Sequence, residues 1–363
     1  MSQSYRISNE GLLNRNKEIS FKFNGTKYTG YEGDTLASAL LANGIHLVGR
    51  SFKYHRPRGF FGAGVDEPNA KLQILLNGHS EPNVNATEFE LVEGIEATSQ
   101  NCWPSVKFDV GAINNFLSKF FPAGFYYKTF KWPKSFWHKV YEPFIRKAAG
   151  FGIASLEKDK ERYEHKYEYC DLLVTGSGPA GLSSAYAAAK NGAKVILAED
   201  KPRFGGSLLT DDVTIDNLSG KAWTDKIITQ LKEMPNVIVK NRSQVFGYYD
   251  HNMTVMIEKT GDHLKDKPKY IPRQRLWYIR AKEVILSTGS IERPIVFGNN
   301  DTPGVFLSAA AKEYIKVYGV LVGKKPLVFT NNDSGYETAL EFKKHGVDPI
   351  ILDTREEHSS ELI

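Results

Sequence analysis

The chain has 363 residues, 41% of them hydrophobic and 25% charged, which is enough for two or three globular domains and too apolar for a disordered polymer. Its net charge of +5 is spread along the sequence and predicts no bulk attraction to nucleic acid. No apolar run approaches the ~18 uncharged residues of a membrane span, and Met1 to Arg6 lacks the apolar core of a signal peptide, so the expectation is a cytoplasmic protein without a membrane segment.

Residues 19–23 and 28–31 are predicted as strands flanking Asn24-Gly25, a hairpin turn. Asp34 or Thr35 then caps a helix over 36–42, closed by Asn43-Gly44. Further strands are predicted at 72–76 and 89–92, and together these elements make a small β-grasp module over residues 1–105. A connector follows over 106–168. Between Phe116 and Phe144, twelve aromatic residues fall in 29 positions, interleaved with Lys119, Lys128, Lys131, Lys134 and Lys139. That interleaving suits a nucleic-acid stacking surface or a membrane-surface helix, but Pro122, Pro133 and Pro143 break any long amphipathic helix. The prediction is an irregular segment whose rings pack between domains or against a partner subunit. Residues 157–168 are highly charged and read as a solvated approach to the next strand.

The chemistry is stated most openly from Cys170 onward. An apolar run at 172–174 reads as a buried parallel strand and passes directly into Gly176-Ser177-Gly178-Pro179-Ala180-Gly181, the spacing G-x-G-x-x-G. Gly176 permits a tight turn, Gly178 lets the backbone approach a pyrophosphate, and Gly181 lets the next helix sit close to the strand. That helix is predicted over 180–190, stopping at Asn191-Gly192, and its N-terminus faces the phosphates. A second strand over 194–198 ends on Glu199, 23 positions after Gly176, where a dinucleotide-binding βαβ unit places the acceptor for the adenosine ribose hydroxyls. Asp200, Arg203, Gly205, Gly206 and Ser207 follow as a second turn able to close over ribose or phosphate. Lys201 and Arg203 raise the question of a 2′-phosphate, which Glu199 would repel, so NADP is disfavoured.

Strands at 237–240, 244–249 and 253–258 form a β-meander, and a strand at 283–286 ends in a small-residue turn, Ser287-Thr288-Gly289, able to approach the nucleotide. This lobe occupies residues 169–323. A second lobe begins at 324–363 with a strand at 325–330, a helix at 337–344 and a strand at 349–352. Its turn, Asn331-Asn332-Asp333-Ser334-Gly335-Tyr336, keeps one glycine, so it is degenerate as a dinucleotide site, and the lobe is expected to be incomplete at its C-terminal end. Two cysteines, Cys102 and Cys170, exclude a disulfide framework and a four-thiolate cluster, and nine scattered histidines show no ligand spacing, so no metal is predicted. Both cysteines read as small core residues.

Several of these runs carry a family resemblance. The segments from Gly33 to Gly44 and from Phe52 to Gly59 resemble the ferredoxin-like N-terminal domain attached to amine- and opine-oxidising flavoproteins. In cluster-carrying members, Arg-Pro-Arg-Gly leads into closely spaced cysteines; here Phe60-Phe61-Gly62-Ala63-Gly64-Val65-Asp66 follows, the pattern of a cluster-free module with no iron-sulfur centre. Lys53, Arg56 and Arg58 are candidates for a cofactor phosphate, with salt bridges favoured over it. The run from Pro122 to Phe130 resembles the connector of the same group, and Ser287-Thr288-Gly289 resembles the "ATG" turn of the glutathione-reductase-like fold. Taken in order, the chain resembles the N-terminal part of the alpha subunits of heterotetrameric sarcosine oxidases. The implied fold class is α/β, a β-grasp module followed by a Rossmann-like FAD/NAD(P)-binding domain of the glutathione-reductase type. The resemblance implies NAD in this chain, held by Gly176, Ser177, Gly178, Pro179, Ala180, Gly181, Glu199, Asp200, Arg203, Gly205, Gly206, Ser207, Thr288 and Gly289. It implies FAD and FMN in the assembled complex, beta, gamma and delta type partner subunits, and demethylation of sarcosine to glycine with hydrogen peroxide and one-carbon transfer to tetrahydrofolate. No residue here is expected to oxidise the C-H bond. Two alternatives stay open: an FAD-binding subunit of an opine or other secondary-amine dehydrogenase, and a non-catalytic dinucleotide-binding assembly subunit.

Overall fold

A computed structural model of the chain describes residues 3–76, 78–120, 124, 130–148 and 150–356. It divides into two compact units, residues 1–158 with 292–363, and residues 159–291.

The first unit is built on a five-stranded sheet. Strands β1 (Asn14–Phe23) and β2 (Thr26–Glu32) form the expected hairpin, with Asn24 at φ 49° and Gly25 at φ 78° in the left-handed conformations that a two-residue turn requires. Helix α1 (Leu36–Ala42) is capped by Thr35, whose hydroxyl accepts from Ser38 N while Ser38 Oγ accepts from Thr35 N. Asp34 does not cap the helix; it is fully buried and holds Arg6 through paired contacts of 3.1 and 2.6 Å. Strands β3 (Lys71–Leu76), β4 (His79–Asn85) and β5 (Glu96–Ser99) complete the order β2-β1-β5-β3-β4, with β1 and β5 parallel. Ile19, Phe21 and Phe23 alternate inward against the buried α1, as a half-buried strand dictates.

The strand predicted at 89–92 is not formed. Leu91 and Val92 are buried, but Phe89 O accepts from Leu36 N and Leu91 N donates to Asp34 O, so this backbone serves the start of α1 and not a sheet. The aromatic connector is broken into short helical pieces, and a π-helical turn at Trp137–Tyr141 runs directly into a helix at Glu142–Ala148, so Pro143 does not interrupt that run; the rings of Phe116, Phe120, Trp132 and Phe144, expected to pack, are largely exposed in this chain. Within the run from Pro122 to Phe130, all but Gly124 and Phe130 lie outside the described residues. No helix among the described residues is long and apolar enough to cross a membrane.

The second unit holds a six-stranded sheet, in chain order β6 (Tyr163–Thr175), α2 (Pro179–Lys190), β7 (Val195–Ala198), α3 (Gly220–Glu233), β8 (Val237–Lys240), β9 (Ser243–Tyr249), β10 (Met253–Lys259) and β11 (Gln274–Leu286). The sheet order is β8-β7-β6-β11-β10-β9: four parallel strands, with the meander β9-β10-β11 running antiparallel on one side. Leu172, Val174, Val195 and Leu197 face α2 and α3, while Leu173, Ile196 and Ala198 pack on Met256, Trp277 and Ile279. Burial on both faces explains the unbroken apolar runs of β6 and β7. Strand β6 is longer than predicted. The charged stretch Tyr163 to Glu168 is not a solvated linker but its first half, paired residue for residue with Gln274 to Ile279 of β11.

The first unit resumes with α4 (Ser308–Lys316), then β12 (Leu327–Thr330), α5 (Ser334–Lys344) and β13 (Ile350–Asp353), where β12 and β13 form a parallel pair.

Candidate dinucleotide-binding site

Strands β6, β7 and β11 point their carboxyl ends at one place, the ordinary ligand position of an open α/β sheet. Gly176 takes φ +96°, and a Cβ there would lie 2.2 Å from the Ser287 carbonyl oxygen. A Cβ on Gly181 would lie 1.9 Å from Gly176 O. Both glycines are therefore demanded by the protein's own packing. Gly178 is not: its backbone is extended at φ −67°, ψ −175°, and a Cβ there would meet nothing within 4 Å. What it faces is open space above the start of α2. No side chain caps that helix, Pro179 occupies its first position, and the amides of Ala180 and Gly181 complete an N-terminus suited to an anion.

Glu199 closes the other side. Its carboxylate is 6% exposed and fixed by donors of known position: Ser177 N at 2.9 Å and Ser177 Oγ at 2.5 Å on Oε2, and Lys201 N at 3.0 Å on Oε1. The Ser177 hydroxyl also accepts from Gly205 N at 3.1 Å, so one side chain ties the first glycine turn to the acid and to the second. Gly205 and Gly206 adopt φ of 125° and 53°, and Gly206 passes so close to Gly178 that a Cβ on it would be 3.1 Å from Gly178 Cα. Burial pushes the Glu199 carboxyl up to about 7, with the neighbouring Asp200 carboxylate adding to the effect. Asp200 and Ser207 are exposed at the rim, and Arg203 is half-buried beside them.

The third wall is Ser287-Thr288-Gly289. Ser287 Oγ donates to Thr175 O at 2.9 Å or Gly176 O at 3.1 Å, bolting β11 to the glycine turn. Thr288 and Gly289 follow as exposed backbone, with Gly289 at φ +73°. All fourteen residues singled out in the sequence thus lie in one unit. Ser287, singled out in the sequence only as the first residue of the small-residue turn, is the one whose side chain ties β11 to the glycine turn.

The other candidates turn inward. Arg56 and Arg58 both bind Asp301, Arg56 at 2.7 Å, so they form internal ion pairs. In the second lobe Asp333 sits at the N-cap of α5, and Arg355 holds both Asp333 at 2.9 Å and Asp353 at 2.7 Å. Burial raises the thiol of Cys170 to about 12 and also raises that of Cys102, so both stay protonated.

A family profile for pyridine nucleotide-disulphide oxidoreductases matches residues 170–361. The chain belongs to this family. A second profile, for 2Fe-2S iron-sulfur cluster binding domains, matches residues 16–102. This oxidoreductase chain is 50% identical over 353 residues to the sarcosine oxidase subunit alpha of Rhizobium meliloti (strain 1021), a match covering 97% of the chain and 36% of that protein. It is 31% identical to the sarcosine oxidase subunit alpha of Corynebacterium sp. (strain U-96), covering 96% of the chain and 32% of that protein. The chain therefore spans about a third of the length of these relatives. Among solved structures, L-proline dehydrogenase from P. horikoshii superposes with a TM-score of 0.63 at 21% identity, over 98% of this chain and 57% of that one, a likeness of fold.

Proposed function

We propose that the chain is the NAD-binding N-terminal portion of a sarcosine oxidase alpha subunit. The observation that carries the nucleotide site is Gly178: it opens onto space, the helix behind it is uncapped, and the carboxylate of Glu199 stands opposite. The 50% identity over 97% of the chain to a sarcosine oxidase alpha subunit supports the assignment to that enzyme class. In this reading the amides of Ala180 and Gly181 hold the pyrophosphate, Glu199 holds the adenosine ribose, and Thr288 and Gly289 border the remaining half of the nucleotide. Bound here, NAD supplies a nicotinamide ring, whereas FAD in its place would supply a flavin. The complete enzyme would demethylate sarcosine to glycine, form hydrogen peroxide and pass the one-carbon unit to tetrahydrofolate, with FAD, FMN and the beta, gamma and delta type subunits outside this chain. No residue of this chain is assigned the C-H oxidation.

The test is direct. The purified chain is denatured and its released nucleotide identified by mass spectrometry. Colourless protein releasing NAD is expected; yellow protein releasing FAD would transfer the reading to a secondary-amine dehydrogenase. Glu199→Ala is expected to weaken nucleotide binding by roughly 1 to 3 kcal/mol, the scale of a hydrogen bond to a charged group.

A further inference from the structure

The loop from Phe60 to Ala70 is wrapped around a buried charge. Glu67 is 2% exposed. Its Oε2 accepts from Phe61 N at 2.5 Å and Gly62 N at 2.8 Å, and its Oε1 accepts from Asn69 N at 2.6 Å and Ala70 N at 3.1 Å. Four backbone amides therefore converge on one carboxylate, and every contact is a donor. Burial pushes this carboxyl up in pKa, with the four N-H bonds pulling against it. Convergent amides of this kind form the concave anion sites that hold phosphates and iron-sulfur clusters.

This loop lies inside residues 16–102, the span that matches the 2Fe-2S binding profile. A two-iron cluster takes four cysteines, or two cysteines and two histidines. The matched span has one cysteine, Cys102, and the chain's other, Cys170, belongs to the second unit. Among the described residues no group of three or more histidine, cysteine, aspartate or glutamate side chains could hold a metal. The ligands do not fit the cluster that the profile names.

We propose that the Glu67 carboxylate is a built-in anion standing in for the cluster, so that this module is locked from within as a scaffold and carries no electrons. The loop it organises has taken on a different load. Phe61 O accepts from Leu307 N at 2.9 Å and Gly62 O accepts from the buried Tyr314 hydroxyl at 3.0 Å, which anchors α4 to the loop. Gly64 O accepts from Thr87 Oγ1 at 2.7 Å. An anion supplied by the chain keeps this platform assembled without an assembly factor or a redox state.

Hydrogen exchange on the full chain tests the proposal. Glu67→Gln keeps the shape but turns an amide N-H₂ toward amide donors, and it is expected to speed exchange at Phe61, Gly62, Asn69 and Ala70 by at least about tenfold. The nucleotide content of the second unit should stay unchanged, which separates this outcome from a failure of the proposed function. Formate added to Glu67→Ala should restore protection over the same residues. Where Glu67→Gln does not accumulate, Glu67→Asp, with its anion withdrawn by one methylene, is read by the same criterion. Unchanged protection at the four amides, acceleration spread evenly over the unit, or visible cluster absorbance after wild-type protein is treated with ferrous iron and sulfide would each overturn it.

Discussion

The three glycines of the first turn make a sharper test of the nucleotide site than any charge. Gly178→Ala adds one methyl where nothing lies within 4 Å, on a backbone at φ −67° that alanine adopts freely. Losing glycine at an N-cap costs roughly 0.5 to 1 kcal/mol, while the stiffer unfolded chain returns about 0.4 to 1 kcal/mol. The net change in stability is close to zero. Gly181→Ala behaves oppositely. Its methyl would sit 1.9 Å from Gly176 O and 2.7 Å from Ser287 Oγ, so the helix start must shift. The gain of about 1 kcal/mol in helix propensity is outweighed by an overpacking cost that reaches about 3 kcal/mol, and the melting temperature should fall. Titration calorimetry with NAD and with FAD, beside thermal melts, reads both effects. Gly178→Ala should melt like wild type yet lose at least about tenfold in affinity, about 1.4 kcal/mol, because the methyl occupies the approach of the pyrophosphate. Wild-type affinity in Gly178→Ala would refute the placement of the phosphates.

Two further outcomes follow from charges. The folded Glu199 carboxyl titrates at about 7 against its ordinary 4.5, so the folded state binds more protons between these values and stability falls as pH rises from 4.5 to 7. The full shift corresponds to about 3 kcal/mol, and denaturant titrations of Glu199→Gln across this range should lose that slope. In the first unit, Asp301→Ala leaves the guanidinium groups of Arg56 and Arg58 facing each other, and a loss of about 1 to 2 kcal/mol is expected, partly recovered at high salt. A salt-independent loss would point to packing as the cause.

Legibility in the sequence followed the range of the interactions. The hairpin at Asn24-Gly25, the helix Leu36–Ala42 and the unit from β6 to β7 are coded by neighbours, and they form where turn chemistry and apolar runs place them. Strand β6 is the instructive partial miss. From Tyr163 to Tyr169 aromatic and charged side chains alternate, a period-two pattern, but the density of charge reads as solvated chain. The structure gives those charges partners: Glu164 pairs with Arg275, Glu168 with Lys194, and Lys166 lies 4.2 Å over the Trp277 ring. Phe89 to Val92 errs the other way, apolar and buried but with its hydrogen bonds drawn to α1. Glu67 does not announce itself, and Ser287 shows only as a member of a small-residue turn, because each acts through backbone groups that only the folded chain brings near.

Glu67 and Glu199 show how a buried carboxylate built to hold its own chain differs from one that can serve a ligand. A carboxylate offers about four acceptor positions. At Glu67 four backbone amides fill them, two on each oxygen, and nothing is left to recognise. At Glu199 three donors are in place, two from Ser177 and one from Lys201, and the remaining position is contested by the Asp200 carboxyl, which helps raise its pKa. A ribose hydroxyl is a donor and would resolve that conflict. Its binding therefore favours ionised Glu199 and should release a proton below pH 7, so nucleotide affinity should rise between about pH 6 and 8 and then level. Calorimetry in two buffers of different ionisation enthalpy measures the released proton. An affinity that stays flat with pH in wild type, or that rises equally in Glu199→Gln, would separate the ribose from Glu199 and return that carboxylate to the structural class of Glu67.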